Sequence, residues 1–327
     1  MNESNKIKVK VVVVAMFERG TPDDGNPGEL ELWVQREKLD KRIPFPVGHF
    51  DLRMNDDGML AVLTGMGPSN AATILTALAF DPRFDLSKAY WIVAGIAGVD
   101  PADASIGSAA WAEYVIEGDI MHEMDSQEIP DDWPYGKLAL FTQEPNKRST
   151  HPADKEIAFK LNKNLVNWAY ELTKDYPLKD YPELADYRAL YQGFPNAMKP
   201  PFVLKGDSFG AGSFWHGEIL NKWAEDWTKM YTDCEGNMVM SNMEDNGTAR
   251  AMTQLSKAGK ADYNRLLVLR TASNYTTPPP GRDAQWHFDV PFILNGMPSI
   301  EAAYQIGSKV AHEIIENWDK YEENIPQ

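Results

Sequence analysis

Several classes of protein are set aside by what this 327-residue chain lacks. A single cysteine, Cys234, excludes an internal disulfide and a cysteine-based zinc site. The six histidines (His49, His122, His151, His216, His287 and His312) show no HExxH and no other ligand spacing, so no metal is expected. No G-x-S-x-G elbow occurs, which argues against an α/β-hydrolase. The most apolar run, VVVVAMF at Val11 to Phe17, falls far short of the ~20 residues that span a bilayer. The opening MNESNKIKVK has no apolar region of the kind a leader needs. The chain therefore reads as soluble: cytoplasmic as written, periplasmic or secreted if a leader has been removed. Basic residues number 32 against 48 acidic, a formal net charge of −16, and no Lys/Arg cluster interrupts the imbalance. Nucleic acid is thereby an unsuitable partner, since its phosphates need a basic face. An anionic substrate would need a focused positive pocket within an unfavourable global field.

What remains is a chain with 43% hydrophobic residues, enough for a substantial core. KVKVVVVAMF predicts a fully buried strand, and the Gly/Pro-rich ERGTPDDGNPGEL a loop. MLAVLTGMG predicts a strand ending at Gly65 and Gly67, followed by a helix over PSNAATILTALAF with Pro68 near its first turn. KAYWIVAGIAG predicts a buried strand at Tyr90 to Ala94 that ends in Gly95 and Gly98, and SAAWAEYVIEGDIM a further strand. A helix is expected near Ala158 to Leu172, and strand ends at FVLKGDSFG and GNMVMSNME. NRLLVLRTASNY predicts a strand at Leu266 to Leu269 running into a polar tip. An amphipathic helix over Ser299 to Lys320 carries Ala303, Ile306, Val310, Ile314 and Trp318 on one stripe. No internal repeat is found. The organisation read from this is one α/β domain over 1–327, elaborated at about 125–200.

Strands alternating with helices imply a mostly parallel sheet, in which ligands sit at the carboxyl ends of the strands. The polar and glycine-rich segments at those ends are therefore the candidate site. Each carries a second, plainer reading. TGMGPSN places two glycines before a helix, where backbone N–H groups hold an anion or simply make a tight turn. The glycines of AGIAGVDP allow close approach of a ligand or of a packed helix. Glu18 and Arg19 offer a water-activating carboxylate and an anion-binding guanidinium, or a solvated loop. Phe209 offers a platform for a flat ring, or a core aromatic, with Asp207 bonding its own turn. Ser273 and Asn274 suit the edge of a heterocycle, or an Asx turn. Ser241 and Glu244 have the spacing of a capping box, so Glu244 either caps a helix or faces a ligand.

In order along the chain, VVVVAMFE, TGMGPSNAATI, AGIAGVDP, GDSF, NMEDNGTAR and LRTASNY resemble the purine nucleoside permease family. FDLSKAYWIVAGIAGVDPADASIGSAAWAEYVIEGDI is especially close, and the resemblance covers almost the whole chain. That family is similar in turn to the nucleoside phosphorylase and nucleosidase superfamily. The resemblance implies a three-layer fold with a central mixed, mostly parallel sheet flanked by helices. It also implies roles for individual residues. Glu244 would accept from the ribose hydroxyls, with Met243 against the sugar face. Phe209 would stack on the base, and Ser273 and Asn274 would meet its edge. Arg270 would orient that strand end. Gly65, Gly67, Ser69, Gly95, Ala97 and Gly98 would surround phosphate or the attacking water. Glu18 or Arg19 would serve water or phosphate, and Arg53 is a remote further cation.

Two departures stand out. Asn274 occupies a position where many relatives carry Asp, and it cannot supply a proton. Ile96 removes a hydroxyl that would contact the nucleophile. The function implied is purine nucleoside binding with cleavage of the N-glycosidic bond, water being favoured over phosphate as acceptor. The alternative is a non-catalytic binding component of nucleoside uptake. No cofactor is implied beyond phosphate as that alternative co-substrate. A homo-oligomer is left open.

Overall fold

The computed structural model describes residues 6–152 and 156–327. Residues 1–5 of the opening stretch, and 153–155 within the 125–200 stretch, lie outside the described residues. The strands that build and position the site are β1 (Val11–Ala15), β2 (Met59–Leu63), β3 (Tyr90–Val99), β4 (Ala109–Trp111), β5 (Tyr114–Glu117), β6 (Asp207–Gly210), β7 (Met238–Asn242) and β8 (Leu266–Tyr275). The main helices are α1 (Glu31–Arg36), α2 (Pro68–Ala79), α3 (Lys163–Thr173), α4 (Glu218–Tyr231), α5 (Asp245–Lys257) and α6 (Met297–Glu316).

β1 lies between β2 and β3, parallel to both, and every one of its residues is buried. A strand covered on both faces needs no polar alternation, which is why it reads as an unbroken apolar run. β8 follows β3 in parallel from Leu266 opposite Trp91 to Tyr275 opposite Val99. The last residues of β3 also pair antiparallel with β7, and β6 lies parallel between β7 and β5. With β4 antiparallel to β8, the sheet is mixed and mostly parallel. α6 lies against β3 and β8, and α2 packs on α5. That last contact is very close: a side chain at Gly247 would strike the Pro68 backbone, so only glycine fits.

Several boundaries differ from the sequence reading, each for a local reason. β3 and β8 run ten residues each, through the segments expected to follow them, because each supplies the other's ladder partner. Gly95 and Gly98 therefore lie inside a strand. SAAWAEYVIEGDIM forms two strands. Asp207 Oδ1 accepts from the Glu113 and Tyr114 N–H groups, and Oδ2 from Asn237 N–H, replacing ladder bonds at the break. Asp207 thus joins three segments rather than bonding its own turn. Ala158–Lys160 is a strand. α3 begins only after it, where Asn162 Oδ1 accepts from Asn164 and Leu165 N–H, as a capping residue does. α6 ends at Glu316, and a separate short helix spans Trp318–Tyr321. Within the 125–200 stretch, Leu184, Tyr191 and Ala197 pack beneath Ala272 and Tyr275 of β8. Tyr135 and Ala139 pack with Phe209 and Trp223.

Candidate active site

A cavity of about 700 Å³ opens at the carboxyl ends of β3, β7 and β8. Its floor forms where β1 and β3 part company. Their ladder ends at Val14 opposite Val93. Beyond that point the Glu29 carboxylate enters the gap. Its Oε2 accepts from Met16 N–H at 2.8 Å and Phe17 N–H at 3.0 Å, and its Oε1 accepts from Ile96 N–H at 2.7 Å. One side chain thereby satisfies three backbone donors that the diverging strands leave over.

Arg270 forms the next layer. Fully buried on β8, it donates from Nε and Nη2 to Asp245, from Nη2 to Glu244 Oε2 at 3.0 Å, and from Nη1 to the Ile96 carbonyl at 2.9 Å. Glu29 Oε1 stands 4.0 Å from its Nη1. Three carboxylates thus surround one guanidinium. Burial opposes the charge on Arg270, but Asp245 and Glu244 outweigh it and raise its pKa. Glu29 is pushed up to about 7: burial is the main cause, Arg270 opposes it, and the charge of Glu244 adds to it. Glu244 is likewise raised by burial against the pull of Arg270. A buried carboxyl group poised near neutrality can take up a proton at physiological pH.

Glu244 stands at the start of α5, but its side chain makes no capping bond. Asn242 does that work, its Oδ1 accepting from Glu244 N–H and Asp245 N–H at 3.1 and 2.9 Å. The capping-box reading of Ser241 and Glu244 is therefore set aside. Asn246 and Gly247 lie in the first turn of α5. Freed from capping, Glu244 lines the cavity and accepts from Gly67 N–H at 3.3 Å.

Opposite lies a break in β8. Ala272 pairs with Ala97 and Asn274 with Gly98, leaving Ser273 unpaired as a bulge. Ser273 and Asn274, neighbours in sequence, consequently both line the cavity. Ser273 Oγ donates to the Ala97 carbonyl and lies 3.0 Å from Asn274 Oδ1, so neither residue forms the Asx turn of the plainer reading.

Of the residues singled out from sequence, Arg19, Ile96, Ala97, Gly98, Ser241, Met243, Glu244, Arg270, Ser273 and Asn274 line this one cavity. The others do not. Glu18 is occupied as the cap of α1: its Oε2 accepts from Leu30 and Glu31 N–H, and its Oε1 from Gly28 and Arg19 N–H. Burial raises its pKa against these four donors, but it does not reach the cavity. Phe209 is fully buried, edge-on to Trp215 and Trp223, and cannot stack on a ligand. Phe214, half exposed, lines the cavity instead. Ser69 is exposed on α2, and Gly65 turns toward His49. Gly67 contributes only its N–H to Glu244. Gly95 is where Arg270 and Glu29 approach each other: a Cβ there would lie 2.6 Å from Arg270 Nη1 and 2.8 Å from Glu29 Oε1. Arg53 is paired with Asp23.

The group that sequence reasoning missed is Glu29. It lies in a segment read as a loop, and its acidic neighbours Glu18 and Glu31 offered the same chemistry. One signal was available: Glu29 directly precedes LELWV, the start of a helical pattern, and that end of a helix favours a carboxylate.

The large mixed sheet flanked by helices resembles the fold of solved nucleosidases. The structure matches a 5′-methylthioadenosine/S-adenosylhomocysteine nucleosidase from Neisseria meningitidis in complex with methylthio-immucillin-A (TM-score 0.52, 16% identity, 94% of this chain and 98% of that one). It also matches the futalosine hydrolase of Helicobacter pylori (TM-score 0.54, 15% identity, 95% of this chain and 100% of that one). The chain itself belongs to the purine nucleoside permease (NUP) family, whose model matches residues 8–326. A purine nucleoside permease of Candida albicans is 32% identical over 267 residues, 80% of this chain. The match extends over 65% of that relative's length.

Proposed function

We propose that the chain binds a purine nucleoside in this cavity and hydrolyses its N-glycosidic bond. The observation that carries this reading is the pair of buried carboxylates, Glu29 and Glu244, set on one guanidinium in the wall that Asn274 faces. In this reading Glu244 accepts from the ribose hydroxyls, Met243 lies against the sugar, and Phe214 replaces Phe209 as the aromatic wall. Asn274 holds the base near N7. As the C1′–N bond breaks, its electron pair leaves with the base and positive charge builds on the ribose ring. Glu29, in its ionised form, takes a proton from water as the oxygen bonds to C1′.

Water suits the site better than phosphate. The two arginines of the wall are both engaged: Arg19 donates to the carbonyls of Pro27 and Asn295, and Arg270 is enclosed by its carboxylates. A phosphate dianion would enter beside Glu29 and Glu244 with no unengaged cation among the described lining residues, at a high desolvation cost. The test follows inosine while phosphate is titrated from zero. Ribose released at a phosphate-independent rate supports hydrolysis. Ribose 1-phosphate with saturable dependence on phosphate would overturn it.

A second reading, nucleoside binding without cleavage as part of uptake, is favoured by Asn274, whose amide has no acidic proton for the departing base. The name of the Candida albicans relative points the same way. Among the described residues no helix is long and apolar enough to cross a membrane. In this reading the chain holds nucleoside beside a carrier. Saturable nucleoside binding with no base released at any phosphate concentration would establish it.

A further inference from the structure

Asn274 and Ser273 line two cavities. The second, of about 290 Å³, adjoins the first and shares Phe214, Pro291 and Phe292 with it. Beyond the shared residues its wall is Tyr187, His216, His287, Phe288, Val290 and Ile293. No Lys, Arg, Asp or Glu is among the described lining residues.

The histidines do not supply charge either. Their rings lie 4.3 Å apart, and burial lowers both pKa values, that of His287 to about 4. The tautomer of His287 follows from its partner. Tyr191 has one hydroxyl proton, which goes to the Thr277 carbonyl at 3.0 Å. The Tyr191 oxygen is then free to accept from His287 Nε2–H at 3.3 Å, a bond that the neutral imidazole makes in one tautomer, and burial disfavours the charged form. The chamber is thus uncharged and largely aromatic.

We propose that this second chamber is a subsite for an uncharged, hydrophobic substituent on the six-membered ring of the purine. The proposal rests on the reading of Asn274 as a base contact. A base held at Asn274 stands at the partition between the cavities. An aromatic or branched aliphatic group on its outer edge then enters a space walled by Phe288, Tyr187 and Ile293, where apolar area leaves water. A carboxylate in the same position meets no cation and loses its hydration.

The test is calorimetric binding of adenosine, N6-benzyladenosine and N6-carboxymethyladenosine to the full chain. The three share one purine ring, so the Asn274 contact largely cancels in their ratios. The expected result is that the benzyl compound binds at least as tightly as adenosine and the carboxymethyl compound at least tenfold more weakly. Adenosine binding with tenfold rejection of the benzyl compound overturns the subsite while leaving the nucleoside reading intact. Failure of all three to bind overturns both. Val290→Trp, at a half-buried position that lines only the second chamber, is expected to lower the benzyl-to-adenosine affinity ratio at least tenfold. An unchanged ratio in a variant that still binds adenosine would place the substituent elsewhere and overturn the assignment. Phe288→Ala, on the exposed side, gives the same readout without filling the chamber.

Discussion

Glu29 and Ile96 are joined by a 2.7 Å hydrogen bond, from the Ile96 N–H to Glu29 Oε1, across the gap where β1 and β3 separate. With Met16 and Phe17 on its other oxygen, all three of these hydrogen bonds to the carboxylate come from backbone N–H groups. Its direction does not depend on a flexible partner, which is what a water-activating group requires.

Turnover should follow the ionisation of Glu29. Its pKa is raised to about 7, and a general base works when deprotonated, so kcat should rise with pH through about 7 and level off above it. The stability effect has the opposite sign. A carboxyl group raised in the fold favours the protonated form, so its contribution is fully present below about 4.5 and is lost as pH rises through about 7. Glu29→Gln should abolish cleavage while retaining nucleoside binding. A pH-rate profile and single-turnover assay check both; cleavage that survives the substitution removes Glu29 from the reaction.

Glu244→Ala should cost ribose recognition more than folding. Arg270 keeps Asp245 as its main partner, so the buried charge stays compensated. Losing hydrogen bonds to an ionised acceptor costs about 1.5–3 kcal/mol, roughly tenfold to more than hundredfold in nucleoside affinity. Calorimetry and a urea midpoint on the same preparation separate the two effects. A large midpoint shift with intact affinity would assign Glu244 to structure.

Asn274→Asp should shift base choice toward adenosine relative to inosine, because a carboxylic acid can share a proton with N7. The ratio of the two turnover rates is the readout. An unchanged ratio would show that position 274 does not touch the base.

Gly95→Ala and Gly98→Ala should differ sharply. At Gly95 the new methyl would lie 2.3 Å from Met16 Cε and 2.6 and 2.8 Å from Arg270 and Glu29, whereas at Gly98 the nearest atoms are 3.2 and 3.3 Å away on Asn274 and Thr276. Overpacking of the first kind costs about 1–3 kcal/mol and displaces both charged groups. Denaturant midpoints and turnover of the two variants, side by side, check the contrast; equal behaviour would mean the charged cluster yields easily.

Much of the scaffold was legible because β1, α2 and α6 each repeat one pattern over a whole element. The placement of Glu244 and Asn274 at the cavity was legible too, since each comes shortly after a strongly apolar run of sequence. The remainder depended on choices between equivalent residues. Glu18, Glu29 and Glu31 share one chemistry, and only the path of the loop decides which caps α1 and which reaches the floor. Phe209 and Phe214 are both aromatic, and only the packing of Trp215 and Trp223 shows that the first is core.

The bulge at Ser273 makes residue count, as well as residue kind, part of the site. In a regular strand, alternation would send two successive side chains to opposite faces. Here the extra residue lets positions 273 and 274 share one. Deleting a single residue at this point would restore strict alternation and keep β8 as a strand. It would leave one polar side chain where there are now two. Among relatives, a one-residue gap here would therefore change the chemistry of the cavity more than most substitutions in its wall.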